Sequence, residues 1–252
     1  MTFRYRTKAF VLDKKDSGEQ DRIFSVFSED FGKIEVLGKA IRKIRAKLRF
    51  GIDLFYFSEI EFIQGKARKT LVDAIPVEVF KNIKGDYEKL KTAYKISKTL
   101  ADLVNGQEKD EKIFDLLNKS FSKLNNCFLF AVDCDMLYYY FLWNLISILG
   151  YKKDFYNCVS CSKKLLPENL YFNFKEGGII DSECFYKIKD GTPVLPETIK
   201  ILRIFIKNDW DTLQKIKARQ NYIKPLEEIS DFCLSFYKEK NSYKKIIERF
   251  DF

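Results

Sequence analysis

Near residue 80 the apolar residues of this chain change their period. Before that point they alternate with polar ones: "KAFVLDKKD", then "RIFSVFSEDFGKIEVLGKA" broken at Glu29-Asp30-Phe31-Gly32, then "DLFYFSEIEFIQGKARKTLVDAIPVEVF" broken at Gln64-Gly65-Lys66. A period of two buries one face of a strand, and breaks rich in Gly and Asp make turns. Five strands therefore fit into residues 1–80, with one long excursion between the third and the fourth. That arrangement suits a small closed barrel, an SH3-like barrel being the competing architecture.

From residue 82 the spacing becomes helical. Ile83, Tyr87, Leu90, Tyr94, Ala101 and Val104 recur at three, four and seven, and Ile113, Phe114, Leu117, Phe121 and Leu124 outline a second amphipathic helix. The run "CFLFAVDCDMLYYYFLWNLISIL", Cys127 to Leu149, is almost long enough to span a bilayer. Asp133, Asp135 and Asn144 interrupt it, and charge at membrane depth is costly, so it reads as the buried central helix of a domain, closed by Gly150 as a C-cap. Further helices are expected near Pro196–Ile206, Trp210–Ala218 and Pro225–Glu239. The opening "MTFRYRTKAFVL" has no apolar signal region, so a cytoplasmic protein with no membrane partner is expected, its six cysteines reduced.

The chain contains no histidine, which removes Ser-His-Asp and Cys-His catalysis and every imidazole metal ligand. It also lacks a dinucleotide fingerprint, a P-loop and a nucleophile elbow, and these absences argue against an enzyme. An alternative of that class is a magnesium-dependent nuclease, with Asp133 and Asp135 as its nearest carboxylates.

Cys158-Val159-Ser160-Cys161 is a CxxC, and after nineteen intervening residues Asp181 and Cys184 repeat the two-residue spacing. Three thiolates and a carboxylate can complete a tetrahedral zinc site, closed and therefore structural; the competing reading is that Asp181 marks a decayed site holding no metal. A thioredoxin-type redox pair would have to open a helix after a strand, a pattern missing here. Glu183 is the other nearby carboxylate but breaks the spacing. Cys127, Cys134 and Cys233 stand on apolar helical segments as core residues.

The net charge is +9, and its densest cluster is "GKAIRKIRAKLRF": Lys39, Arg42, Lys43, Arg45, Lys47 and Arg49, with no acid from Gly38 to Ile52. As a strand it would put the cations on one face; as a helix, Ile41, Ile44 and Leu48 would form an apolar stripe. In either form an apolar side docks and a cationic side faces outward, a surface suited to a polyanion. Phe50, Phe55, Tyr56 and Phe57 follow, and any of them left exposed could stack unpaired bases. An RNA-binding barrel would show the same features.

The ordered set of parts resembles the RecO family of bacterial recombination mediators. The resemblance rests on a first strand, a Gly-Glu-x-Asp-Arg segment (Gly18, Glu19, Asp21, Arg22), a strand pair turning at Phe31-Gly32-Lys33, "FGIDLFYFSEIEFIQGK", a helical middle, and a late CxxC followed by Gly-Gly and a last cysteine. The fold it implies is α+β and multidomain: an N-terminal OB-fold barrel over 1–80, then an all-helical domain over 81–252 with a zinc-finger-like insertion at 155–187. The family often has four cysteines in that insertion, so Asp181 is a departure. The function implied is non-enzymatic DNA repair in the RecFOR pathway. Such proteins bind single- and double-stranded DNA, anneal complementary strands, and with RecR load RecA onto DNA coated by single-strand-binding protein, whose C-terminal tail they also bind. A cytoplasmic, nucleoid-associated protein follows. On this reading the six clustered cations, with Arg22 and Lys33 as helpers, contact phosphates.

Overall fold

The computed structural model describes residues 3–65, 68–104, 106–126, 131–216 and 220–247, and two compact units divide the chain, Met1–Phe128 and Leu129–Phe252. The first unit begins with five strands: β1 (Arg4–Ser17), β2 (Asp21–Ser28), β3 (Gly32–Gly38), β4 (Phe57–Gln64) and β5 (Lys69–Glu78). They close in the order β1-β2-β3-β5-β4, with every pair antiparallel except β3 and β5. This is the expected OB-fold barrel, and closure leaves no edge strand to pair with another chain. β1 can serve two neighbours because it is long: Arg4–Phe10 pairs with β4, Ala9–Ser17 with β2, and the register slips between Val11 and Asp13. A bulge of this kind bends a strand around a barrel.

Alternation along these strands fills the barrel with Ala9, Val11, Phe24, Val26, Ile34, Val36, Ile60, Phe62 and Leu71. Two further side chains enter that core from outside the strands, Ile41 and Ile52, the two ends of the excursion between β3 and β4. Between them the chain runs through turns into a short 3-10 helix, Lys47–Phe50. Neither of the two regular forms weighed above is adopted. Ile44 is 87% exposed and Phe50 71%, so neither belongs to an anchoring stripe; Ile41 anchors fully and Leu48 in part. The backbone resolves the difference, since turns at 39–45 break the spacing a continuous stripe requires.

Gly51 ends the 3-10 turn against β5, where an added Cβ would lie 1.8 Å from the carbonyl oxygen of Ala74. No side chain fits there, so the backbone itself is the contact surface. Ser58 Oγ fixes the same point by donating to the Gly51 carbonyl at 2.7 Å.

Outside the barrel, α1 (Lys81–Lys84), α2 (Tyr87–Leu103) and α3 (Glu111–Asn126) complete the unit. Phe10 points away from the barrel interior and meets Phe57, Phe80, Phe114 and Phe121 at 4.5–6.3 Å, so the middle of β1, Ala9–Leu12, is buried on both faces. The α3 residues read as apolar are all buried. On α2 the result differs: Ala93, Ile96, Leu100 and Leu103 face the core, whereas Tyr87 and Tyr94 are exposed. Two apolar stripes compete on that helix, and the aliphatic one is taken inward.

In the second unit α4 (Ala131–Ile148) is buried nearly all round, as its composition requires. Its polar atoms are used internally: Trp143 Nε1 donates to Ser230 Oγ at 3.0 Å, and Asn144 Nδ2 donates to the carbonyls of Tyr140 and Phe205 at 2.8 and 3.1 Å. Among the described residues no helix is long and apolar enough to cross a membrane. Gly150 closes α4 at φ +89°, with the Tyr151 amide reaching back to Ile146 at 3.0 Å. A small sheet follows, of β6 (Leu170–Asn173), β7 (Gly178–Ile180) and β8 (Thr192–Val194) in the order β7-β6-β8, with α5 (Ser182–Ile188) between β7 and β8. Then come α6 (Pro196–Ile206), α7 (Trp210–Gln214) and α8 (Gln220–Ile247). The α7 turn is shorter than expected, its last expected residues lying outside the described ones. Helix α8 begins before Pro225 and carries it inside.

Two outcomes check this packing. Gly51→Ala should lower the unfolding free energy by several kcal/mol, read by urea denaturation, because β5 backbone must move to admit the methyl group. Asp53 receives Lys14 at 2.5 Å and Lys84 at 2.8 Å; burial opposes its charge, but these two bonds prevail and hold its carboxyl down at about 2. A depressed acid stabilises the fold above its unfolded value and loses that contribution as pH falls through the folded one. Asp53→Asn should therefore cost roughly 1 kcal/mol at neutral pH, after allowing for solvent screening, with the gap to wild type closing between about pH 4 and 2.

Candidate nucleic-acid interface and metal centre

The Gly18-Glu19-x-Asp21-Arg22 segment has a mechanical role in the basic excursion. Asp21 Oδ1 accepts from the Ala40 amide at 2.7 Å, and the Arg42 amide donates to the Gln20 carbonyl at 3.0 Å. The β1–β2 turn thus holds the start of the excursion, Ile41 and Ile52 plug it into the core, and Gly51 seals its end. The cations in between are turned out by default, since the apolar positions are the ones used for anchoring.

Lys39, Arg42, Lys43, Arg45, Lys47 and Arg49 are all exposed, and Arg22 is half-buried. Arg22 Nε pairs with Asp16 at 2.8 Å, and Arg42 reaches the same carboxylate at 3.4 Å; Arg22, Arg42 and the neighbouring Lys14 hold its pKa below the ordinary range, the Arg22 hydrogen bond first. Among the described residues Lys39, Lys43, Arg45, Lys47 and Arg49 form no ion pair, and Arg49 lies over the Phe50 ring at 5.4 Å. A cleft of about 330 Å³ gathers Arg22, Arg42, Arg49 and Lys14 around Ile41, Ile52 and Asp53. Lys33 is not among them: its ammonium donates to the Ala101 carbonyl at 2.6 Å, beside a different hollow lined by Lys69 and Gln107. Of the aromatic residues after the cluster, Phe55 is 1% exposed and only Phe50 stands clear in solvent. Lys14 and its tether Asp53 were not legible from spacing, because the β1 bulge decides which way Lys14 points.

In the second unit Cys158, Cys161, Asp181 and Cys184 converge, their ligand atoms all within 4.8 Å of one another. Among the described residues this is the one group of three or more cysteines and acids so placed. The CxxC forms a turn in which the Ser162 amide returns to the Cys158 carbonyl at 2.8 Å and Ser162 takes φ +61°. The Val159 amide pins that turn to the Ile179 carbonyl of β7 at 2.8 Å. Asp181 and Cys184 stand at the start of α5. There Asp181 has two tasks: Oδ1 caps the helix by accepting from the Cys184 amide at 2.8 Å, and Oδ2 accepts from the Cys161 thiol at 3.2 Å.

Electrostatics suit a cation. Burial works against the Asp181 charge, but the Cys184 amide and the neighbouring thiols outweigh it and hold the carboxyl below its usual range. Cys158 is likewise held low: backbone groups of Cys161, Asp181 and Ser160 overcome its burial. Cys184 is pushed up to about 12 by burial, with the Cys161 and Cys158 hydrogen bonds adding to it. Donors preorganised to stabilise one thiolate and one carboxylate, with two more sulfurs in contact, fit a metal ion. Glu183 is elsewhere, 2.8 Å from Lys163 at the surface. Cys134 and Cys233 are buried, as expected; Cys127 lies outside the described residues. Asp133 and Asp135, two residues apart on one helix, point to different sides and cannot share an ion.

Comparison with known proteins gives one answer over most of the chain. The family models described as Recombination protein O N terminal and Recombination protein O C terminal match residues 1–80 and 84–245. The DNA repair protein RecO of Dehalococcoides mccartyi is 28% identical over 236 residues, covering 94% of this chain and 91% of the relative. That of Thermoanaerobacter sp. is 29% identical over 237 residues, at 93% and 91% coverage. That of Acetivibrio thermocellus is 24% identical over 239 residues, at 95% and 94%. A closed barrel bearing a cationic excursion, a helical region with a cysteine-carboxylate knuckle, and matches to both family models lead to the same conclusion: this chain belongs to the RecO family of DNA repair proteins.

Proposed function

We propose that this protein grips DNA with its basic excursion, anneals complementary single strands, and acts with RecR to load RecA on DNA coated by single-strand-binding protein, whose acidic C-terminal tail is a further partner. The observation that carries the reading is the run from Lys39 to Arg49: six exposed cations, of which, among the described residues, only Arg42 forms an ion pair, with Asp16 at 3.4 Å. Annealing needs the repulsion between two phosphate backbones to be relieved, and breaks no bond. Arginines and lysines on a rim held at both ends supply that relief with no catalytic group. The excursion takes either strand because it reads phosphate and not base edges.

Zinc fits the second unit's knuckle as a structural ion held by Cys158, Cys161, Asp181 and Cys184. When bound it would tie the CxxC turn to the start of α5 and leave no open position for a substrate. The Asp181 carboxylate replaces a fourth sulfur without loss of the helix cap, because its two oxygens face different donors.

The excursion's contacts, about six phosphates, should contribute about −4 to the slope of the logarithm of single-strand affinity against that of salt. Replacing Arg42, Lys43, Arg45 and Lys47 by Ala should make the slope shallower by about 2.8 and stop annealing, with the far-ultraviolet circular dichroism unchanged. A folded variant that binds and anneals as wild type would refute the assignment. For the knuckle, protein purified without chelator should hold one zinc per chain. Asp181→Asn keeps the cap oxygen but removes the anion, so it should lose zinc far more readily than wild type while α5 persists, and chelation should lower Tm by about 5 °C or more. Metal-free protein of unaltered Tm would remove zinc from the account.

A further inference from the structure

The outer face of α2 carries an aromatic and cationic stripe that the core does not use. Tyr87, Lys91, Tyr94 and Lys98 follow one another at spacings of four, three and four, with Leu90 and Lys95 beside them. Tyr87 is 75% exposed and Tyr94 50%, although large apolar rings are costly to leave in water. The six residues line a shallow hollow of about 450 Å³, its floor made of rings and methylenes and its rim of ammonium groups. Glu88, on the same helix, lies 3.7 Å from Lys91.

A chain of contacts links this face to the basic cleft. The Tyr94 ring meets Phe55 edge-on at 4.9 Å, and buried Phe55 stands three residues beyond the plug Ile52. Asp53 joins Lys14, which lines the cleft, to Lys84 on α1, and the Lys84 ammonium sits 4.3 Å over the Tyr56 ring. One side of Asp53 therefore faces the excursion and the other leads to the start of α2.

We infer that the α2 face extends the DNA path as a stacking platform for unpaired bases, an inference that rests on the DNA-binding reading above. Single-stranded DNA leaving the cleft lays bases on Tyr87 and Tyr94 and brings phosphates to Lys91 and Lys98. The lysines, like the tyrosines, are seven residues apart, about 10.5 Å along the helix, the length of about three stacked nucleotides. Tyrosine accepts any base, because every base has a π-face. A duplex gains nothing from these rings, since its base faces are already stacked. The platform thus gives a preference for single strands that the excursion's phosphate contacts cannot supply.

The test uses the full chain with oligo(dT), and with a duplex at matched salt. Tyr87→Ala changes an exposed residue and should weaken oligo(dT) binding roughly five- to tenfold, leave the salt slope as it is, and leave duplex affinity unchanged. Tyr87→Trp should restore binding. Lys91→Gln with Lys98→Gln should reduce the slope by about 1.4. Oligo(dT) carrying 5-iodouracil should cross-link on irradiation to Tyr87 or Tyr94, mapped by mass spectrometry. The inference is overturned if wild type binds oligo(dT) but Tyr87→Ala binds it equally and cross-links map only to residues 39–50. It is also overturned if Tyr87→Ala spares oligo(dT) and instead weakens an acidic, aromatic-containing peptide, which would make the face a peptide dock. Wild type that bound no oligo(dT) would defeat the DNA-binding reading itself, and the platform with it.

Discussion

Burial of Ile41 and Ile52 in the barrel core is the contact on which the basic surface depends. Each side chain contributes about 2 kcal/mol on entering the core. Two cations ~8 Å apart in water repel by ~0.5 kcal/mol, so several such pairs cost about as much as one plug supplies. Two plugs therefore hold the excursion in place while, among the described residues, only Arg42 of its cations has a carboxylate partner. A helix would have spent the same apolar residues on regular packing and spread the cations over a wider arc. Turns ending in a 3-10 helix keep them on one short rim, and Gly51 against β5 makes the rim an extension of the barrel wall.

The same economy marks the knuckle in the second unit. A thiolate at 181 could take part in a metal site but would cap α5 poorly; a carboxylate does both, with one oxygen on the Cys184 amide and the other toward Cys161. The departure from a four-cysteine pattern thus has a local reason in the geometry of a helix start.

Much of this was legible in the residues. Alternation in β1 to β5 and the long excursion between the third and fourth strands pointed to a small closed barrel, and two-residue spacing picked out all four knuckle residues before any geometry was known. What escaped did so for identifiable reasons. Ile41, Ile44 and Leu48 are chemically alike, and only the turn at Lys39–Arg45 decides that the second is left in water. Tyr87 and Tyr94 keep helical spacing with Leu90, yet α2 carries a second stripe through Ile96 and Leu100, and periodicity cannot rank two stripes on one helix. Lys33 looked like a helper by sequence proximity, but β3 carries it away from the cleft to the Ala101 carbonyl. Lys14 joined the cleft through a bulge that no local pattern announces.

The central claim is that phosphates meet the rim between the two isoleucine plugs. Lysine acetylation mapped by mass spectrometry, with and without saturating oligo(dT), tests it without any mutation. The account predicts strong protection of Lys43 and Lys47, with Lys112 and Lys119 on α3, equally open to solvent, modified at an unchanged rate. Protection of the α3 lysines with Lys43 and Lys47 still reactive would contradict it.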